Sequence, residues 1–261
     1  MRHYKFQVPE NCKLLRGQLF RYLYTFCDVK TITKSEDIEK DRFLAFSHPF
    51  DDWVFDVITK DKSINFFHID NGYIGNHRYK RPEYYRITYN SLQNTIVRPV
   101  KESRKHLLEL DDNLWADWNP QGEYNLLVMP AESNIFRYMG QDYQAWRDKT
   151  IKYYEGLDVP LIVREKVGKR KQRWETILPM MRKARKVITY HSMAAVEALC
   201  LGKPIEILGQ SAVQHWQNKI NFNRDEMLEH IAWSQFDRSD YQSGTAWRCT
   251  FDYQVEPCIR N

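Results

Sequence analysis

The stretch VITYHSMAAVEALCLGKPIEIL, residues 187–208, predicts a complete strand–helix–strand unit. Residues 187–190 are β-branched and aromatic, which is typical of a buried strand. Residues 192–201 begin with a serine, a residue type that caps helix starts, and continue with strong helix formers. The Gly-Lys-Pro sequence at 202–204 ends this helix, and 205–208 begin a second strand. This order predicts a parallel sheet with a right-handed crossover.

The turn between this strand and this helix is predicted to be a ligand site, because parallel sheets bind ligands at the carboxyl ends of their strands. The backbone N–H groups of Ser192, Met193 and Ala194 would point out of the helix start. The positive end of the helix dipole lies there and suits a phosphate group. From the local sequence alone, a simpler interpretation is favoured, with Ser192 as a helix cap and His191 as a turn residue.

The segment VEALCLGKP, residues 196–204, resembles the Glu-Ala-small-Gly-x-Pro segment in the nucleotide-sugar domain of GT-B glycosyltransferases. The longer TYHSMAAVEALCLGKP resembles the capsule-polysaccharide and phage-encoded branch of that superfamily. The resemblance covers mainly residues 124–208. It implies an α/β fold of two Rossmann-like domains that face each other across a cleft, with a C-terminal helix that returns to the first domain. It also implies that Glu197 holds the ribose of a sugar nucleotide.

The composition permits sizeable hydrophobic cores and sets few limits on function. Of the 261 residues 43% are hydrophobic, so disorder is not expected. The net charge of +5 permits a polyanionic partner without requiring one. Five cysteines without a CxxC pair predict reduced thiols and no metal site. Because no signal-like or membrane-spanning stretch is visible, we expect a cytoplasmic location, in a host cell if the protein is phage-encoded.

Two strand ends in the first half of the chain carry candidate catalytic residues. Residues 42–47 and 64–69 have the composition of buried strands. Asp70 follows the second of these in an Asp-Asn-Gly turn signature, and a carboxylate there fits the role of general base for a hydroxyl nucleophile. His48 is placed on a loop by the proline that follows it, and is the second candidate base. Each has an ordinary alternative, Asp70 as a turn cap and His48 as a partner for neighbouring backbone.

A basic and aromatic segment follows Asp70. Its cations include Arg78, Lys80 and Arg81, and Tyr84 and Tyr85 adjoin them. This composition fits a nucleic-acid strand, through phosphate contacts and base stacking. A solvated surface loop is the more common explanation of such a segment. The flanking sequences IDNGYIG and YYRITYNSLQNT resemble phage-encoded proteins of the glycosyltransferase class.

The second half of the chain predicts alternating strands and helices, as in a doubly wound parallel domain. The predicted elements are a strand at 124–129, a helix at 142–154, a strand at 159–164 and a helix at 174–186. Ser133, Arg164 and Lys166 follow the ends of predicted strands. The resemblance implies that these three residues hold the diphosphate of the donor.

These features predict three parts of the chain: an acceptor-binding domain at 1–120, a nucleotide-sugar domain at 121–235, and a tail at 236–261 that packs back on the first domain. The resemblance implies that a sugar is transferred from a nucleotide sugar, with inversion and without a metal. UDP-glucose is the expected donor. We expect hydroxymethylpyrimidine in DNA as the acceptor. The donor would be held by Ser133, Arg164, Lys166, His191, Ser192, Met193 and Glu197.

Three alternatives stay open at this point. The acceptor would be a saccharide or a small molecule in one of them. In another, the chain is a non-catalytic nucleic-acid-binding protein that has kept a nucleotide-binding fold. A retaining mechanism is open as well, because the sequence does not place Asp70 against the anomeric carbon.

Overall fold

The structure is a computed structural model that describes residues 4–47, 52–74, 84–95, 103–104, 108, 114–130, 140–165, 177–219 and 222–255. In chain order the strands are β1 (Lys5–Pro9), β2 (Asp28–Ile32), β3 (Phe43–Ser47), β4 (Phe66–Asn71), β5 (Tyr84–Tyr89), β6 (Tyr124–Val128), β7 (Leu161–Arg164), β8 (Ala184–Thr189), β9 (Ile205–Ile207) and β10 (Gln235–Asp237). The α-helices are α1 (Glu10–Phe26), α2 (Asp52–Lys60), α3 (Tyr143–Glu155), α4 (Leu178–Lys183), α5 (Ala194–Cys200), α6 (Arg224–Ala232), α7 (Arg238–Ser243) and α8 (Thr245–Thr250).

Within these residues the first sheet has six strands in the order β10-β5-β4-β3-β1-β2. Strands β1 to β4 run parallel, whereas β5 is antiparallel to β4 and β10 is antiparallel to β5. The predicted strands at 5–8, 42–47 and 64–69 are confirmed, as is a helix at 11–25. Residues 30–42 are predicted as polar surface, but the first three complete β2. This edge strand buries only Ile32 fully, so its sequence shows little hydrophobic pattern.

The second sheet has four parallel strands in the order β7-β6-β8-β9. The predicted alternation of strands and helices between 124 and 208 is confirmed. The helix predicted at 174–186 is shorter in the described residues, where Leu178–Lys183 is helical. Ala184 already has extended backbone and pairs with Tyr124, so sheet formation ends the helix there. Gly202 has φ +69° and ends α5 as predicted.

One face of the first sheet is covered by helices from the end of the chain. Trp247 in α8 is completely buried, and its ring centroid lies 6.1 Å from that of Phe6 and 5.8 Å from that of Phe67. The indole N–H donates to the carbonyl of Leu19 in α1 at 3.1 Å. Residues 238–255 therefore pack on the first sheet. No described helix is long and apolar enough to cross a membrane.

Candidate functional site

The segments that follow β4, β8 and β9 are joined by hydrogen bonds through the loop at 91–94. The side-chain oxygen of Gln93 accepts from the hydroxyl of Tyr73 at 3.2 Å, and its amide donates to the carbonyl of His191 at 3.4 Å. The Ser91 hydroxyl donates to the side-chain oxygen of Gln210 at 3.2 Å. These segments leave the carboxyl ends of strands in both sheets. The region where parallel sheets bind ligands therefore lies between the two sheets.

Asp70 lies inside β4, not in a turn after it, because β5 pairs with β4 as far as Asn71. Arg86 is its register partner in β5, and the Arg86 guanidinium donates to Oδ2 of Asp70 at 2.7 Å. Oδ1 accepts from the backbone N–H of Asn71 at 2.7 Å. Arg86 is 6% exposed and packs over the ring of Tyr73 at 5.1 Å. Both carboxylate oxygens thus already accept hydrogen bonds, one of them from a buried cation.

His191 lies in the turn between β8 and α5 and is 8% exposed. Its Nδ1 is 2.6 Å from the carbonyl oxygen of Gln210, whereas its Nε2 is buried without a hydrogen-bond partner in the described part of the chain. Burial lowers the pKa of His191 and the positive charge of Arg86 acts in the same direction, against the hydrogen bond to Gln210. The imidazole therefore favours its neutral form.

Three other buried polar atoms also lie near the carboxyl ends of strands in the two sheets. None of them has a hydrogen-bond partner in the described part of the chain. Ser47 Oγ ends β3, Thr189 Oγ1 ends β8, and Arg86 Nε lies beside Asp70. Buried polar groups in folded proteins nearly always have a partner. Such atoms at one edge of two sheets indicate a place built to contact a polar molecule.

The turn at Ser192 differs in part from the predicted phosphate site. The Ser192 hydroxyl accepts from the backbone N–H of Ala194 at 3.1 Å, but the N-cap of α5 is Met193, one residue after the predicted position. That N–H therefore already donates within the chain, and phosphate binding at this turn stays a prediction. Helix α5 has only seven residues, which limits its dipole. Met193 is 40% exposed and Glu197 is half-buried one turn into the helix.

Arg164 ends β7 at the same edge of the second sheet. It is the register partner of Val128, which in turn is the register partner of Thr189. With a spacing of about 4.8 Å between strands, the backbones at Arg164 and Thr189 are roughly 10 Å apart. Arg164 and the Ser192 turn therefore share one edge of the sheet. Ser133 and Lys166 lie outside the described residues.

Of the residues predicted to bind nucleic acid, Tyr84 and Tyr85 are in the described part of the chain, and both belong to β5. Tyr85 is 5% exposed and packs edge-on against Tyr241, with 6.2 Å between ring centroids. It cannot stack on a base, and its predicted role is corrected to core packing. Tyr84 is half-buried at the first position of the strand. Arg78, Lys80, Arg81 and the candidate base His48 lie outside the described residues.

Sequence reasoning missed Arg86, Gln93 and Gln210. Arg86 stands in a strand-like run, where an isolated arginine gives no signal of a site. Its role depends on the β4–β5 register, which places it opposite Asp70. In the described ranges, no group of three or more His, Cys, Asp or Glu side chains could hold a metal ion.

Solved structures with a similar fold include KpsC of Thermosulfurimonas dismutans. Its beta Kdo 2,7 transferase matches with a TM-score of 0.52 at 9% identity, over 94% of this chain and 98% of that one. The beta Kdo 2,4 transferase of the same KpsC has a TM-score of 0.49 at 14% identity, over 89% and 91%. No protein-family profile and no curated sequence matches the chain. The first comparison shows a shared mixed α/β fold and no residue-by-residue correspondence.

Proposed function

We propose that this chain is a GT-B glycosyltransferase that moves a sugar from a nucleotide-activated donor to a hydroxyl group. The observation that carries the proposal is the polar site between the carboxyl ends of the two sheets. There Arg86, paired with Asp70 in the first sheet, packs over Tyr73. The hydroxyl of Tyr73 donates to Gln93, which donates to the carbonyl of His191 in the second half of the chain. The fold shared with a beta Kdo 2,7 transferase and the VEALCLGKP segment support the same reaction class.

The donor is assigned to the second sheet. Arg164 and the Ser192–Met193 turn lie on one edge, with Glu197 one turn into α5, which suits a nucleotide sugar that lies across the strand ends. Ser133 and Lys166 belong to the same proposal. Cations that neutralise the departing phosphate act most strongly as its charge grows toward the transition state. We therefore propose direct, inverting displacement without a required metal.

UDP-glucose is the first donor to test. An activated Kdo, the sugar named for the structural neighbour, is the second. For the acceptor, the basic residues Arg78, Lys80 and Arg81 stand in the sequence between β4, which contains Asp70, and β5, which contains Arg86. That position in the sequence supports hydroxymethylated DNA. The Kdo transferase name supports a saccharide instead.

The test combines each nucleotide sugar with hydroxymethylated DNA or with a saccharide acceptor, followed by mass spectrometry of nucleosides and glycans. We expect one donor to be consumed and one acceptor to gain the mass of the sugar. Consumption of the donor by water alone would still identify an enzyme. If every donor is left intact, including by hydrolysis, the chain is a non-catalytic binding protein.

Glu197→Ala tests the donor site. A charged hydrogen bond to the ribose contributes about 1.5–3 kcal/mol, so we expect roughly 10- to 100-fold weaker binding of the active nucleotide. Isothermal titration calorimetry measures the change. Glu226→Ala is the matched control, because Glu226 is an exposed glutamate in the first turn of α6, away from the strand ends. Equal affinity for both variants would assign Glu197 a structural role.

A further inference from the structure

The hydrogen bonds of His191 determine which of its ring nitrogens carries the proton. Nδ1 lies 2.6 Å from the carbonyl oxygen of Gln210. A carbonyl oxygen only accepts, and two acceptors would repel each other at that distance, so this contact favours an Nδ1 that carries a hydrogen and donates it. The backbone N–H of Gln210 lies 3.1 Å from the same nitrogen and could donate only to a bare Nδ1, so it favours the opposite tautomer. The carbonyl contact is the shorter of the two, and we assign the tautomer from it.

In the neutral imidazole, Nε2 is consequently a bare acceptor. It is buried, and no described residue forms a hydrogen bond to it. The ring cannot turn away from this orientation at low cost, because the Gln210 backbone holds one edge and Tyr190 packs against the ring with centroids 4.8 Å apart. A fixed imidazole whose buried nitrogen has no partner among the described residues can accept a proton in general base catalysis from a substrate hydroxyl that reaches it.

Asp70 is less suited to this role. Its two oxygens accept from the Arg86 guanidinium and from the Asn71 N–H, so a substrate hydroxyl would have to share an oxygen with one of these donors. The pair instead supplies Arg86 as a positive charge that acts on His191 from the opposite sheet.

We propose that Nε2 of His191, and not Asp70, accepts the proton of the nucleophilic hydroxyl. This assignment rests on the proposed function. The hydroxyl O–H bond breaks as its oxygen bonds to the anomeric carbon. The bond between that carbon and the donor phosphate oxygen breaks, and its electron pair leaves with the nucleotide. The proton remains on Nε2, and the imidazolium that results donates through Nδ1 to Gln210 until Nε2 releases the proton to water.

The groups that face His191 set the pH at which it can act. From the first sheet, Arg86 opposes its protonation, and Asp70 partly offsets that charge because the two are paired. From its own half of the chain, the Gln210 carbonyl favours protonation, and the Tyr190 ring is uncharged. Gln93 contributes an uncharged contact with the backbone. Because the pKa of His191 is lowered from its ordinary value of about 6.5, transfer should persist at pH 6.5 and fall only at a lower pH.

The first experiment determines the tautomer by nitrogen-15 NMR of the whole chain at pH 7.5, with the His191 signals assigned by their loss in His191→Asn. We expect a protonated Nδ1 and an unprotonated Nε2. A protonated Nε2 at this pH would overturn the proposal whether or not the chain transfers sugar.

The second experiment measures transfer from the donor found active. His191→Asn retains an N–H that can reach Gln210, and we expect at least 100-fold slower transfer with donor affinity within about threefold of wild type. His215→Asn is the control, because His215 is an exposed histidine, and it should not change the rate of transfer. Arg86→Gln should move the acid limb of the pH profile upward, because a repelling charge is lost, whereas Arg86→Lys should leave it in place.

These outcomes separate the two claims. If wild type consumes no nucleotide sugar, the proposed function fails, and the assignment of His191 fails with it. If wild type is active and His191→Asn is equally active, only the assignment is overturned. An acid limb at the same pH in Arg86→Gln and Arg86→Lys would also contradict it.

Discussion

In the second sheet all four strands come from residues 124–207 and run parallel, whereas the first sheet takes its outermost strand from residues 235–237. The first sheet also relies on α7 and α8 to cover its aromatic face. Contacts between Trp247 and Leu19 join residues 228 positions apart. The second sheet can thus form from neighbouring segments, but the first needs the end of the chain. We expect the first sheet to be the slower to complete.

The two sheets also supply different chemistry to the site between them. The first contributes a cross-strand ion pair, Asp70 with Arg86, which is rigid because both residues lie within paired strands. The second contributes turns at the ends of β8 and β9, where His191 and Gln210 hold each other. A charged pair on a sheet can maintain a constant field, while turns present the groups that contact the substrate.

Trp247→Ala should destabilise the protein, because it removes a contact through which the end of the chain packs on the first sheet. Loss of a fully buried tryptophan costs about 3–5 kcal/mol. Urea denaturation followed by far-ultraviolet circular dichroism measures the free energy of unfolding, because this signal reports on the backbone. Tyr153→Ala, at a side chain that is 63% exposed, is the control and should change that free energy by less than about 0.5 kcal/mol. Similar losses in both variants would contradict the packing role of Trp247.

Gly202→Ala tests the second sheet at the point where α5 turns into β9. A left-handed backbone costs a non-glycine residue about 1–2 kcal/mol, and a Cβ here would lie 2.0 Å from the Asp117 carbonyl oxygen. Gly140→Ala is the matched control, with φ +65° and nothing within 4 Å of the added carbon. We expect the Gly202 variant to unfold at lower urea than the Gly140 variant. Equal midpoints would mean that the close approach to Asp117 has no energetic effect.

Gly17→Ala should have the smallest effect, and the opposite sign. Gly17 lies within α1, and an added Cβ meets nothing within 4 Å. Alanine in a helix interior is about 0.5–1 kcal/mol more favourable than glycine. The urea midpoint should therefore rise. The variant would stabilise the first sheet through helix propensity in α1 alone, without any contact to the end of the chain. A fall in the midpoint would show that α1 needs the glycine.

The candidate site was predicted to different degrees on its two sides. On the second sheet, Arg164 ends its strand as the local sequence predicts, and Ser192 lies one residue before the N-cap of its helix. On the first sheet, Asp70 was identified but placed in a turn, because Asp-Asn-Gly is a strong turn signature. The pairing of β4 with β5 overrides that signature, since each added residue pair contributes backbone hydrogen bonds.

The sequence by itself determined the second sheet and the edge of it at which Arg164 and the Ser192 turn lie. Its strands, caps and stop signals act over a few residues, so their order is written in neighbouring positions. Only the tertiary structure decided that Arg86, 16 residues beyond Asp70, would pair with it, and that His191 would lie within reach of their charge. Register and sheet-to-sheet packing arise from contacts between distant segments. A single residue pattern carries no trace of them, which is why the chemistry of the site became visible only in the folded chain.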